Sequence, residues 1–134
     1  MNQRNALDDA VKLGENGLLL ISTANEQAIP HIAAAGALAR TGEQQIAVTD
    51  WFCPSTTENA VPGKAVSVVA WDPVQDRGHQ IIGSIAAVED IAMLDGYDPK
   101  TAESPPLPQV ERRLRIDVKQ VLAFKKAPHS DIVE

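Results

Sequence analysis

The chain has one cysteine, Cys53, and only five aromatic side chains, Trp51, Phe52, Trp71, Tyr97 and Phe124, in 134 residues. A lone thiol excludes an intrachain disulfide framework and any multi-cysteine metal site. So few rings mean that a core must be built from Ala, Val, Ile and Leu. No run approaches the roughly 20 apolar residues that a membrane-spanning helix needs. The segment from Met1 to Asp9 has no apolar stretch of the kind a secretory leader carries, which makes the cytoplasm the expected compartment. Positive charge is also in deficit. Twelve Lys and Arg stand against eighteen Asp and Glu, a net charge of −6, which speaks against nucleic acid or an anionic membrane as the main partner. The nucleophile elbow, the P-loop and the dinucleotide-binding glycine pattern are all missing.

What is present is ordinary globular material, 44% apolar and 22% charged. The length suits one domain over 1–134, and a domain of this size gains from dimerisation.

Residues 5–13 predict a short amphipathic helix. Asn5 is its expected cap, Asp8 and Asp9 stand in its first turn, Ala6, Ala10 and Leu13 share a face, and Gly14 and Gly17 end it. GLLLIST, 17–23, reads as a strand buried on both faces. A turn at Asn25-Glu26-Gln27 leads to AIPHIAAAGALAR, 28–40. Alanine favours helix there, but Pro30 and Gly36 count against one, so this is read as one extended run. A hairpin loop at 41–43 precedes a strand at 44–50. Ser55 to Glu58 fits the S-x-x-E capping box, which predicts a helix over about 55–61 closed by Gly63. Valine-rich 65–72 reads as a strand, followed by a loop at 72–78. A long strand is expected at 79–90, with Gly83 as a bulge or a close approach. Residues 91–109 hold four of the nine prolines and read as an excursion. A last, half-buried strand at 112–124 alternates Leu114, Ile116 and Val118 with Arg113, Arg115, Asp117 and Lys119. The sum is six strands and two short helices, a mostly antiparallel sheet expected to close as a small barrel. Residues 72–103 carry seven acidic and two basic residues, and 111–126 carry two acidic and six basic. The two regions are expected to meet within or between subunits.

The stretch Thr49 to Asn59 carries the most chemistry. A strand ends and a helix begins among Ser55, Thr56 and Thr57. Free N–H groups at such a start suit an anion, whereas Ser55 can equally cap its own helix against Glu58.

The order of GLLLIST, Pro30-His31, IAAAG, QIAVTDW, Thr56 with Asn59, VSVVAWD and Gly83 resembles the FMN-binding split-barrel proteins of the pyridoxamine 5′-phosphate oxidase-like group. In particular it resembles their small homodimeric members, over about residues 5–124. The resemblance implies FMN in a groove at a dimer interface. Ala34, Ala35 and Gly36 would line the flavin, Thr49, Asp50 and Trp51 would present backbone groups to its pyrimidine edge, and Ser55, Thr56 and Asn59 would meet or position the phosphate. Small residues let backbone approach a flat ring closely. The chain departs from many relatives in having no Lys or Arg in the phosphate loop, where Pro54-Ser55-Thr56 stands, with Lys64 or a distant arginine as the nearest substitutes. It also lacks the basic residues near the C-terminus that serve the substrate phosphate in true pyridoxamine phosphate oxidases. The implied function is an FMN-dependent oxidoreductase or flavin reductase-like protein acting on a small molecule. A non-enzymatic flavin or electron carrier, or a barrel that has lost FMN and serves as a ligand-binding or structural dimer, stays open.

Other residues carry two readings each. Trp51 and Trp71 either border a flavin or pack in the core or dimer interface. His79, followed by Gln80, is either a proton donor reaching a cofactor or a surface histidine, and contact from the 105–109 loop is open. His31 reads as structural. His129 with Asp131 lacks a third metal ligand, so no metal site is expected. Cys53 reads as a buried, inert thiol rather than an activated one. Arg112, Arg113 and Arg115 read as an inter-strand salt-bridge face.

Overall fold

Helix α1 (Gln3–Asn16) begins the computed structural model, which describes residues 2–94, 109–126 and 132–134. The helix starts earlier than its expected cap. Asn2 Oδ1 accepts the Asn5 N–H at 2.9 Å, so Asp8 and Asp9 stand beyond the first turn. Ala6, Leu7, Ala10 and Leu13 make a buried stripe at helical spacing. Leu7 is fully buried, worth about 1.5–3 kcal/mol. Gly17 closes the helix by donating to the Leu13 carbonyl at 2.7 Å, and Gly14 lies inside it.

Among the described residues seven strands follow: β1 (Leu18–Ala24), β2 (Pro30–Ala34), β3 (Ala37–Gly42), β4 (Gln45–Asp50), β5 (Ala65–Asp72), β6 (Arg77–Leu94) and β7 (Gln109–Ala123), with α2 (Pro54–Asn59) between β4 and β5. They form one antiparallel sheet in the order β2-β1-β5-β6-β7-β4-β3. Two expectations are corrected here. The sheet has seven strands rather than six, and no hydrogen-bonded ladder joins β2 to β3, so it is not a closed barrel. Both corrections have one cause. The run expected over 28–40 divides at Ala35-Gly36: β2 pairs with β1, and β3 pairs with β4. The two edges of the sheet are therefore consecutive in the chain, tied by two residues.

β1 is not buried on both faces. Leu19, Ile21 and Thr23 point inward, and Leu18, Leu20 and Ser22 point outward. The inward set of the whole sheet is aliphatic, as the shortage of rings demands. Ile46, Val48, Val68, Ile81, Leu114, Ile116 and Val121 are all essentially inaccessible to solvent, and Phe52 is the one buried aromatic among the described residues.

β6 and β7 form the long central pair. Its register slips between Ile82 and Gly83. A Cβ at Gly83 would run into the Asp117 carbonyl oxygen, so glycine is required at this bulge. The acidic and basic regions meet on this pair, within one subunit. Arg112 reaches Asp90 at 3.2 Å and Arg115 reaches Glu89. The Arg115 hydrogen bond, with smaller help from its charge, holds the Glu89 carboxyl below its usual value. Residues 91–94 and 109 of the expected excursion belong to these strands. Residues 95–108 and the His129–Asp131 pair lie outside the described residues. The segment 132–134 lies along the end of β7, with Ala123 N–H donating to Ile132 O at 2.7 Å and Glu134 N–H donating to Val121 O at 2.9 Å.

Candidate functional site

The break between β2 and β3 brings the first group of candidate residues together. Ala35 N–H donates to Leu19 O at 2.9 Å, and Gly36 N–H donates to Thr49 O at 3.2 Å. Neighbouring residues thus bond to strands on opposite halves of the sheet. A Cβ at Gly36 would lie 3.0 Å from the Thr49 carbonyl and 3.4 Å from the Asp50 carboxylate, so Ala35-Gly36 and Thr49-Asp50 form one seam. Ala34 and Gly36 are exposed, while Ala35, Thr49, Asp50 and Trp51 are half-buried. Asp50 turns its carboxylate back to accept the Trp51 N–H at 2.7 Å, which fixes the chain as it leaves β4.

The second group sits on α2. Its cap is Cys53, with Pro54 in the first turn and no side-chain capping bond. The expected Ser55–Glu58 capping box is therefore absent, because Pro at the first helical position moves Ser55 inside the helix. The helix ends at Ala60, short of Gly63. Thr56 is 1% exposed. Its Oγ1 lies 3.3 Å from Cys53 Sγ and 3.4 Å from His31 Nδ1. Asn59 Nδ2 donates to Thr23 Oγ1 at 3.2 Å. Thr56 and Asn59 thus pin α2 to β2 and β1, and Ser55 is left exposed. β2 links the groups: His31 touches α2, and Ala34 leads into the seam.

Cys53 is exposed rather than buried. The side-chain hydrogen bond from Thr56 and the Thr56 backbone bond lower its thiol pKa, outweighing burial, and the backbone bonds of Cys53 and Ser55 add to them. Of the polar groups at this helix start, the Thr56 hydroxyl lies against that sulfur.

This fold recurs among solved structures. HupZ of Group A Streptococcus superposes with a TM-score of 0.62 at 11% identity, over 93% of this chain and 97% of that one. An FMN-binding protein of Syntrophomonas wolfei gives 0.59 at 16% identity, over 93% and 90%. A pyridoxamine 5′-phosphate oxidase-related, FMN-binding protein of Nostoc punctiforme gives 0.58 at 11% identity, over 93% and 84%. The chain has the pyridoxamine 5′-phosphate oxidase-like fold. No family model and no curated protein matches its sequence.

Within this oxidase-like fold, Lys64 comes to the same cavity as Asn59, a space of about 400 Å³ also lined by Asn25, Glu26, Gln27, Glu58 and Val61. Among the described residues of that lining, Lys64 is the one cation beside two carboxylates, Glu26 and Glu58. Trp71 packs edge-to-face on Phe124, with centroids 5.6 Å apart and planes at 80°. Its indole N–H donates to Asp76 Oδ1 at 3.3 Å. Gln80 lies on the outer face and donates to Ser67 Oγ at 2.8 Å.

His79 is not on the surface. It is 4% exposed, with Nε2 at 2.7 Å from Asp9 Oδ2 and Nδ1 at 3.1 Å from Glu134 Oε1. The alternation along β6 carried the signal, because His79 shares the inward face with Ile81, Gly83 and Ile85. Nothing in the sequence pointed to its carboxylate partners, which lie 70 and 55 residues away. They bracket the ring from opposite sides instead of converging on one point. Among the described residues no group of three or more His, Cys, Asp or Glu is placed to hold a metal ion, and no helix is long and apolar enough to cross a membrane.

Proposed function

We propose that the chain is a cytoplasmic flavoprotein, a single split-barrel domain over 1–134 that binds FMN at the seam and works as a homodimeric oxidoreductase on a small molecule. The observation that carries this reading is the seam itself. Ala34 and Gly36 are exposed and present at most a methyl group, so a flat ring can lie against backbone there. The side chains fit such a group. Ala34, Ala35 and Gly36 would face the ring, Thr49, Asp50 and Trp51 would border its edge, and the exposed Ser55 hydroxyl would meet the phosphate. Thr56 and Asn59 would act from behind by fixing α2. FMN, when bound, supplies the electron transfer, and the protein supplies binding, orientation and exclusion of water. Neutral donors bond a phosphate about half as strongly as charged ones, so affinity is expected to be modest. Solved proteins of the same fold are described as FMN-binding, which supports the assignment. The dimer is supported by apolar side chains on the outer face of the sheet, where Leu18 and Ile32 are exposed.

A specific observation favours a second reading, a barrel that carries no flavin. Thr56 is buried, and its hydroxyl is engaged by Cys53 Sγ and His31 Nδ1 instead of being free for a phosphate. An absorption spectrum of the purified protein separates the two. Flavin bands that are released by acid, or that appear on titration with FMN and are lost from a monomeric fraction, support the first reading. A protein that stays colourless with FMN in excess overturns it. Reduction of the bound flavin by NADH or NADPH then separates an enzyme from a carrier.

A further inference from the structure

A second cluster lies away from the seam, where α1, the start of β6 and the segment 132–134 meet. His79, Asp9 and Glu134 have side chains only 5%, 17% and 12% exposed. Both ring nitrogens of His79 face carboxylate oxygens, at 2.7 Å and 3.1 Å. A neutral imidazole has one N–H, and only the imidazolium donates from both nitrogens. With a neutral ring, one of these contacts would set a lone pair against a carboxylate. With both carboxylates ionised, only an imidazolium makes both contacts as hydrogen bonds.

The two carboxylates do not depend on the ring equally. Asp9 also bonds Arg77. Glu134 bonds only through Oε1, and its Oε2 is buried with no partner among the described residues. A buried carboxylate that loses its one cationic partner is strongly disfavoured and moves to water. Among the described residues little else retains the segment that carries it. Ile132 and Val133 are 53% and 62% exposed, which leaves the two backbone bonds to Ala123 and Val121.

We propose that His79 is a pH-operated clasp: as an imidazolium it joins Asp9 to Glu134 and closes residues 132–134 onto β7, and loss of its proton frees the segment. The clasp walls a cavity of about 510 Å³ whose charged lining is Asp9, Asp76, Arg77, Lys125 and Glu134 around the ring. Arg77 is held by Asp9, and Asp76 accepts from Trp71 and from the Lys126 N–H. This leaves Glu134 as the group that answers to the state of His79. Opening therefore widens the cavity on the 132–134 side while α1 stays docked through Asp9 and Arg77.

Hydrogen exchange of the 134-residue chain tests this. The readout is the protection of the Ala123 and Glu134 amides, corrected for intrinsic rate and divided by that of the Val118 amide, which bonds Gln44 O at 2.8 Å elsewhere on β7. The ratio is expected to fall at least tenfold as the pH is raised from about 5 to about 9. Glu134→Gln is expected to abolish that dependence. A flat ratio in the unsubstituted chain overturns the proposal, as does the same slope in Glu134→Gln. Ring ¹⁵N shifts of His79 in the unsubstituted chain give a check that no variant can spoil. Both nitrogens should be protonated wherever the two amides are protected, and a neutral tautomer in that state overturns the clasp.

Discussion

Gly36 donates its amide hydrogen to the Thr49 carbonyl at 3.2 Å, directly after Ala35 has donated to Leu19 on the other half of the sheet. The close approach depends on the absence of a Cβ, which would stand 3.0 Å from that same oxygen. Gly36→Ala is therefore expected to force β3 away from β4 and to cost about 1–3 kcal/mol, the usual penalty of overpacking. Urea unfolding checks it. A midpoint equal to that of the unsubstituted chain would show that the seam gives way without strain. FMN affinity, where FMN binds, should fall in the same variant.

Asp9 sets a dependence of stability on acid. Burial works to raise its pKa, but the hydrogen bonds of His79 and Arg77 and their charges outweigh it, leaving the carboxyl below its ordinary value. A group depressed in the folded state stabilises fully above its unfolded pKa, and that contribution disappears as pH falls through the folded one. Asp9→Asn should thus lower the melting temperature at neutral pH and flatten its decline below about pH 4. Parallel curves for the two proteins would count against this.

Cys53 should react as an activated thiol. Its lowered pKa leads with the Thr56 side-chain bond, so Thr56→Val, which keeps the shape and removes the hydroxyl, is expected to raise it. Alkylation by iodoacetamide at neutral pH should slow by roughly twofold to tenfold, with the pH–rate curve displaced upward. An unmoved curve would assign the activation to the backbone alone.

Ala28 adopts φ +62°, the left-handed region, in a turn held by Asn25 Oδ1, which accepts from the Gln27 and Ile29 N–H groups at 2.9 Å each. The left-handed conformation costs a residue with a Cβ about 1–2 kcal/mol, and glycine's extra chain entropy takes back roughly 0.5–1 kcal/mol. Ala28→Gly should therefore stabilise by about 0.5–1 kcal/mol, seen as a higher melting temperature. A decrease would mean that the turn relaxes around alanine.

Where period and burial agreed, the sequence was readable. The strand at 65–72 matches β5 in both bounds, and Leu114, Ile116 and Val118 are the buried face of β7. Gly83 marked a real register slip. Reading failed where one apolar run serves two neighbours, since nothing local in IAAAGALA says that pairing passes from β1 to β4 within two residues. It failed again at α2, where Ser55 and Glu58 matched a local capping pattern that Pro54 displaced by taking the first helical position. The partners of His79 were invisible for a different reason. Long-range polar contacts follow from the finished packing of α1 and 132–134 and leave no periodic trace.

The two-residue link between the sheet edges also orders events in time. β1 pairs with β5, and β4 with β7, across long stretches of chain, so the consecutive hairpins join one another through slow, non-local encounters. Holding the Ala35–Leu19 and Gly36–Thr49 bonds at the same time needs both halves in place, which puts completion of the link late on the folding route. Gly36→Ala is then expected to accelerate unfolding while leaving the refolding rate nearly unchanged, a φ-value close to zero. Slowed refolding in stopped-flow would put the link in the nucleus instead. A late-closing link makes the lifetime of the native state, more than the speed of reaching it, the property that Gly36 controls.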